Sequence, residues 1–152
     1  MDKRQLVDQD ERTLAALAHG SIVLGVLTSG IGGIFASLAI WLTQREKSTY
    51  VAHQSLQALV YQISTLLLAV LGFCAWGFFL MLAILPPIAM NPELYQYEPP
   101  PSLWIGMALL ALPFGLWFIT ILYGLWGAFR SLSGADFEYL VIGKMLKTSA
   151  PA

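Results

Sequence analysis

The chain has 152 residues, of which 57% are hydrophobic and 11% charged, with a formal net charge of -1. Soluble domains average roughly 45–50% and about 25% on the same two measures, so this composition marks a membrane protein. A near-neutral chain without a basic stripe to neutralise phosphates argues against nucleic acid as a partner, and the single cysteine, Cys74, excludes an internal disulfide.

No shift in composition divides the chain, so one membrane domain is expected over 1–152. The first twelve residues mix Asp2, Asp8, Asp10 and Glu11 with Lys3, Arg4 and Arg12. His19 and Gly20 then interrupt the apolar stretch, which is unlike a cleaved secretory leader.

A bilayer core of about 30 Å takes roughly 20 helical residues. A continuous helix over 13–43 would reach roughly 46 Å, too long to span without severe tilt. The run Thr28-Ser29-Gly30-Ile31-Gly32-Gly33 supplies a break. Two short helices over about 13–27 and 31–43 follow, a hairpin broken at Gly30-Gly33. A third helix is expected over about 52–85, stopped by Pro86-Pro87, and a fourth over about 103–130, kinked at Pro113.

Charge orients these four transmembrane helices. With the hairpin, all eight Lys and Arg residues fall on one side and the other side carries only Glu93 and Glu98. Concentration of Lys and Arg in cytoplasmic loops then places both termini in the cytoplasm. A bacterial inner membrane is the expected location. Each hairpin arm reaches only about 20 to 22 Å, so a three-span alternative stays open. Ser21 with Gly25, Gly32 with Ala36, and Gly33 with Ser37 are small residues at the four-residue spacing that lets helix backbones approach in lipid.

The outer segment, LPPIAMNPELYQYEPPPS, favours an extended backbone. Tyr95, Tyr97 and Trp104 suit the headgroup level and form a candidate outer docking loop. After a break at Ser133-Gly134, a short interfacial helix is expected over 136–147, with Phe137, Leu140, Val141 and Met145 near one face.

No phosphate-cradling glycine motif, serine elbow or metal-ligand spacing occurs, so no catalytic or metal residue is assigned and an enzyme is not expected. The third helix carries a polar stripe: Gln54, Gln57, Tyr61 and Ser64 follow spacings of 3, 4 and 3. His53 borders it, and His19 on the first helix reaches a similar depth. Three readings fit: interhelical hydrogen bonds within a bundle, a face of a conduction path, or axial ligation of a haem or pigment by His19 and His53.

Asp10-Glu11-Arg12-Thr13 followed by Leu14-Ala15-Ala16-Leu17-Ala18-His19, then Ile40-Trp41-Leu42, then His53-Gln54-Ser55-Leu56-Gln57-Ala58-Leu59, resembles a family of small uncharacterised bacterial membrane proteins. Phe137-Glu138-Tyr139 through Ile142-Gly143-Lys144 is similar to the family's closing motif. The family is itself similar to the twenty-kilodalton subunit of the chloroplast inner-envelope (Tic) protein import complex. The resemblance implies a four-helix membrane fold and permits a translocation role; it carries no catalytic residue. The resulting expectation is a non-enzymatic accessory or assembly subunit packed against a larger membrane complex, respiratory or photosynthetic. Its partners are the lipid bilayer and other integral membrane proteins, and no cofactor is assigned.

Overall fold

The computed structural model describes residues 7–148; Lys3, Arg4 and the last residues of the tail lie outside them, and of Lys147 only the backbone is described. The helices are α1 (Gln9–Gly20), α2 (Ile22–Leu27), α3 (Ile31–Gln44), α4 (Thr49–Met90), α5 (Pro101–Leu109), α6 (Ala111–Leu132) and α7 (Ile142–Thr148). No strand occurs among the described residues.

Helix α1 starts at Gln9, ahead of the expected Thr13, because Asp8 and Glu11 form a capping box. The Asp8 carboxylate accepts from the Gln9 N–H at 2.7 Å, and the Glu11 carboxylate accepts from the Asp8 N–H at 3.3 Å. The expected single helix over 13–27 is divided at Ser21, whose hydroxyl turns back onto the Ala18 carbonyl at 2.7 Å. Such back-bonding competes with the helical ladder.

The turn between α2 and α3 falls at residues 28–30, with Ser29 and Gly30 in the left-handed region at φ 56 and 94. Thr28 clips it: Oγ1 donates to the Leu24 carbonyl at 2.6 Å and accepts from the Gly32 N–H at 2.7 Å. One turn further on, a Cβ on Gly33 would collide with Gln62 Oε1 and lie 2.6 Å from the Ser21 carbonyl. Only glycine permits that approach.

Helices α4 and α5–α6 (Pro101–Leu132) are long and apolar enough to cross a membrane, whereas α3, with 14 residues, is not. The expected stop at Pro86-Pro87 does not occur: α4 continues through both prolines to Met90. Pro87 leaves the Ala83 carbonyl without its i+4 donor, and the Ser102 hydroxyl donates to that carbonyl instead at 2.6 Å. The connection that follows is a series of turns and bends over 92–98 rather than an extended run. Pro101 then occupies the first turn of α5, where its missing N–H costs nothing.

Pro113 acts one turn upstream. The ring crowds the carbonyl four residues earlier, and the helix is interrupted at Leu110. The Leu110 N–H tightens onto Met107 O at 3.2 Å, and the Trp76 indole donates to the Gly106 carbonyl at 2.8 Å.

The chain forms two compact units: one from the N-terminal part up to Leu66 together with the chain from Thr120 onward, and one from Leu67–Ile119. The second is an apolar helical pair, with Phe73 edge-on to Phe114 at 5.0 Å. The first holds the core, built on Ile22, Tyr61, Phe137 and Tyr139.

Helix α6 ends in a Schellman motif. The Ala135 N–H reaches the Arg130 carbonyl at 3.1 Å, and the Gly134 N–H reaches the Ser131 carbonyl at 2.9 Å, with Gly134 at φ 72. The Arg12 guanidinium lies over this end, its Cζ 2.8 Å from where a Gly134 Cβ would stand. A cation there complements the helix dipole.

The expected interfacial helix over 136–147 is corrected in its first half. Residues 135–139 have no helical structure, and α7 begins only at Ile142. Phe137 and Tyr139 are buried, at the two-residue period of extended chain, while Leu140, Val141 and Met145 are exposed. The four therefore do not share a face. The extended segment is held because its backbone finds partners on α4.

Candidate functional site: a buried polar circuit

Helix α4 directs Gln54, Gln57 and Tyr61 inward, and all three are buried. Ser64 continues the spacing but is exposed, outside the group. The first three converge on the extended tail and on His19.

The circuit closes on itself. The Tyr139 hydroxyl lies 3.0 Å from His19 Nδ1, and His19 Nε2 lies 2.9 Å from Gln54 Oε1. Gln54 Nε2 donates to Asp136 Oδ1 at 3.0 Å and to the Phe137 carbonyl at 3.1 Å. Gln57 Nε2 donates to the same carbonyl at 3.3 Å, and Gln57 Oε1 accepts from the Tyr139 N–H at 3.2 Å. Gln57 thus pairs with the tail as a neighbouring strand would, through one donor and one acceptor.

The partners fix the protons. Gln54 Nε2 faces two acceptors, so Oε1 must receive a hydrogen, which His19 Nε2 supplies. His19 Nδ1 is then the acceptor, and Tyr139 donates to it. This tautomer satisfies every polar atom of the four side chains without a charge in the interior. Burial pushes the Tyr139 hydroxyl well above its ordinary pKa, with the neighbouring tyrosines Tyr61 and Tyr123 adding to the effect.

Aromatic packing encloses the circuit. The Tyr61 ring stacks on Tyr139 at 4.0 Å and 7°, and the Tyr61 hydroxyl donates to the Thr120 carbonyl at 2.7 Å. Tyr123 stands edge-on to Tyr139 at 5.3 Å, and Phe137 edge-on to His19 at 5.5 Å. Gly124 and Gly127 let α6 close over the group. A Cβ on Gly127 would come 2.8 Å from the Phe137 ring and 3.2 Å from His19 Nδ1.

A second polar contact holds the hairpin. Gln62 Nε2 donates to the Ser21 hydroxyl at 2.9 Å and to the Ala18 carbonyl at 3.2 Å. Gln62 Oε1 has no hydrogen-bond partner and occupies the space a Cβ on residue 33 would need. Gln62, Phe137 and Tyr139 are the residues of this core that the sequence does not assign to a site. The two-residue spacing of the aromatic pair after Ser133-Gly134 was the available signal for the tail.

The two histidines stand apart in this arrangement. Both ring nitrogens of His19 are engaged, and His53 is half-buried and outside the circuit. No group of His, Cys, Asp and Glu suited to a metal ion occurs among the described residues. The circuit meets solvent at Asp136, which is exposed and lines a cavity of about 500 Å³ with Tyr50, Arg130 and Ser133. In the outer segment, which belongs to the second unit, Tyr97 and Trp104 are exposed and Tyr95 is half-buried.

These features define a small all-helical membrane protein with a hydrogen-bonded core. Residues 10–146 match the magnetosome magnetite crystal formation protein family (MamF/MmsF), and the chain belongs to that family. The match supports the resemblance to a small bacterial membrane protein family and does not extend to the chloroplast import subunit. No curated protein and no solved structure matches the chain.

Proposed function

We propose that the protein is a non-enzymatic organiser of the magnetosome membrane that contributes to magnetite crystal formation through assembly rather than catalysis. The family supplies the setting. The observation that carries the reading is the closed circuit: His19, Gln54, Gln57 and Tyr139 are buried and spend their polar atoms on one another and on the tail. Polar atoms that each have a partner inside the protein support a structural role for the circuit. On this reading both termini lie on the cytoplasmic side, the arrangement that gathers the Lys and Arg residues of the sequence there.

The test is deletion and complementation in a magnetosome-forming host, read by electron microscopy of crystal size and shape. Loss of the gene is expected to alter the crystals, the wild-type chain to restore them, and Gln57→Leu to restore them only as far as it accumulates. Unaltered crystals after deletion would refute the role. A Gln57→Leu chain present at the wild-type level but inactive would refute the structural reading of the circuit.

A further inference from the structure

The hairpin α1–α3 has charged and uncharged ends. Its base carries Arg12 on one arm and Arg45, Glu46 and Lys47 on the other. Its tip sets the exposed Thr28 and Ser29 between Leu27, 76% exposed, and Ile31, 53% exposed, with Phe35 exposed one turn further along α3. The 14 residues of α3 reach roughly 21 Å, against a hydrocarbon core of about 30 Å. An arm of that length, anchored by charge at one surface, ends short of the other.

Several backbone donors of the tip are met inside the turn. Backbone groups in lipid need internal partners. At this turn the N–H groups of Thr28 and Gly30 reach the Gly25 carbonyl at 3.2 and 2.6 Å, Ile31 N–H reaches Thr28 O at 3.3 Å, and Gly32 N–H reaches the Thr28 hydroxyl at 2.7 Å. That hydroxyl in turn donates to Leu24 O. Gly30 packs on Leu66, where a Cβ would approach Leu66 Cδ1 to 2.5 Å.

We infer that α1–α3 is a one-leaflet wedge, entering and leaving the bilayer from the base-rich side with residues 27–31 in the hydrocarbon, and that it gives the protein a preference for curved membranes. A helix that crosses the bilayer adds cross-section to both leaflets. The hairpin adds cross-section to one leaflet only, and a bilayer convex on that side accommodates the excess with less strain. The ligand is the lipid surface itself, distinguished by its curvature. The inference rests on the placement of the hairpin and not on the role in crystal formation.

The full chain, reconstituted into mixed phosphatidylethanolamine and phosphatidylglycerol vesicles, tests it. Small sonicated vesicles are expected to hold several-fold more protein per lipid than large extruded ones, with Lys47 facing outward. Equal density would overturn the curvature preference. In a Cys74→Ala background, Leu27→Cys is expected to resist impermeant thiol reagents from both sides, and a dye attached there to be quenched by spin labels placed deep in the bilayer. Reaction from the far side would show a crossing hairpin, and rapid reaction from the base side a tip in water; either overturns the wedge. Leu27→Lys with Ile31→Lys alters only exposed positions and is expected to abolish the preference while leaving the helix content unchanged. A preference that survived this pair would assign it elsewhere.

Discussion

Tyr139 and His19, 120 residues apart in the chain, meet with the Tyr139 hydroxyl 3.0 Å from His19 Nδ1, while the Tyr139 N–H is held by Gln57 at 3.2 Å. Side chain and backbone of one residue thus tie α1, α4 and the tail together. Removing His19 leaves Tyr139 and Gln54 each with an unpaired buried polar atom, at about 1–3 kcal/mol apiece. His19→Ala is expected to destabilise the protein by about 3 kcal/mol or more, with the cavity adding to the loss. Combined with Tyr139→Phe it should cost clearly less than the sum of the two. Unfolding in mild detergent measures both; strict additivity would show that the two side chains do not interact.

Gln57 contributes differently, since it pairs with backbone rather than with a side chain. Gln57→Leu keeps the volume and leaves the Tyr139 N–H without an acceptor, which is expected to cost about 1–3 kcal/mol. The tail should loosen before the helices do. Limited proteolysis is expected to cut within 135–141 in the variant and not in the wild type. Equal cutting rates would mean that the aromatic packing of Phe137 and Tyr139 suffices to hold the segment.

Tyr139 also sets a pH dependence. Its folded pKa is raised by burial, so the folded state favours the neutral hydroxyl. The stabilisation is therefore complete below the ordinary tyrosine value of about 10 and is lost as pH rises above it. Thermal unfolding in detergent should show Tm falling above about pH 10, more steeply in the wild type than in Tyr139→Phe. Parallel curves for the two would place the alkaline loss at another group.

The legible part of this molecule was periodic. Spacings of 3 and 4 placed Gln54, Gln57 and Tyr61 on one face of α4, and their burial together follows from it. Gln62 lies five residues beyond Gln57, roughly 140° around the helix, and so turns to Ser21 and Ala18 instead. No period within one helix reveals a partner on another. The tail is not legible in this way, because Phe137, Leu140, Val141 and Met145 also satisfy a helical period; carbonyl and N–H partners on α4 decide in favour of extended chain. Pro86-Pro87 misled for a similar reason, since the donor that tolerates it, Ser102, comes from another helix.

The cap on α6 joins the Arg12 of the N-terminal motif to the left-handed Gly134. Gly134→Ala forces a Cβ into a positive-φ backbone, at about 1–2 kcal/mol, and toward the guanidinium. Arg12→Gln removes the charge at the helix C-terminus, worth about 0.3–1 kcal/mol. The glycine substitution is expected to be the more damaging of the two. The opposite order in detergent unfolding would show that Arg12 acts mainly through its other contacts, among them the Val7 carbonyl at 3.1 Å.

Ser102 is the remaining test, because it explains how α4 outlasts two prolines. Without its hydroxyl the Ala83 carbonyl has lost both its helical donor and its substitute. Ser102→Ala is expected to lower stability by about 1 kcal/mol and to speed amide exchange over 88–90, the last turn of α4, while exchange over 51–62 stays at the wild-type rate. Ser102→Thr keeps the donor and should restore slow exchange. If Ser102→Ala leaves the last turn protected, the carbonyl finds another donor and the serine is not what carries the helix past Pro86-Pro87.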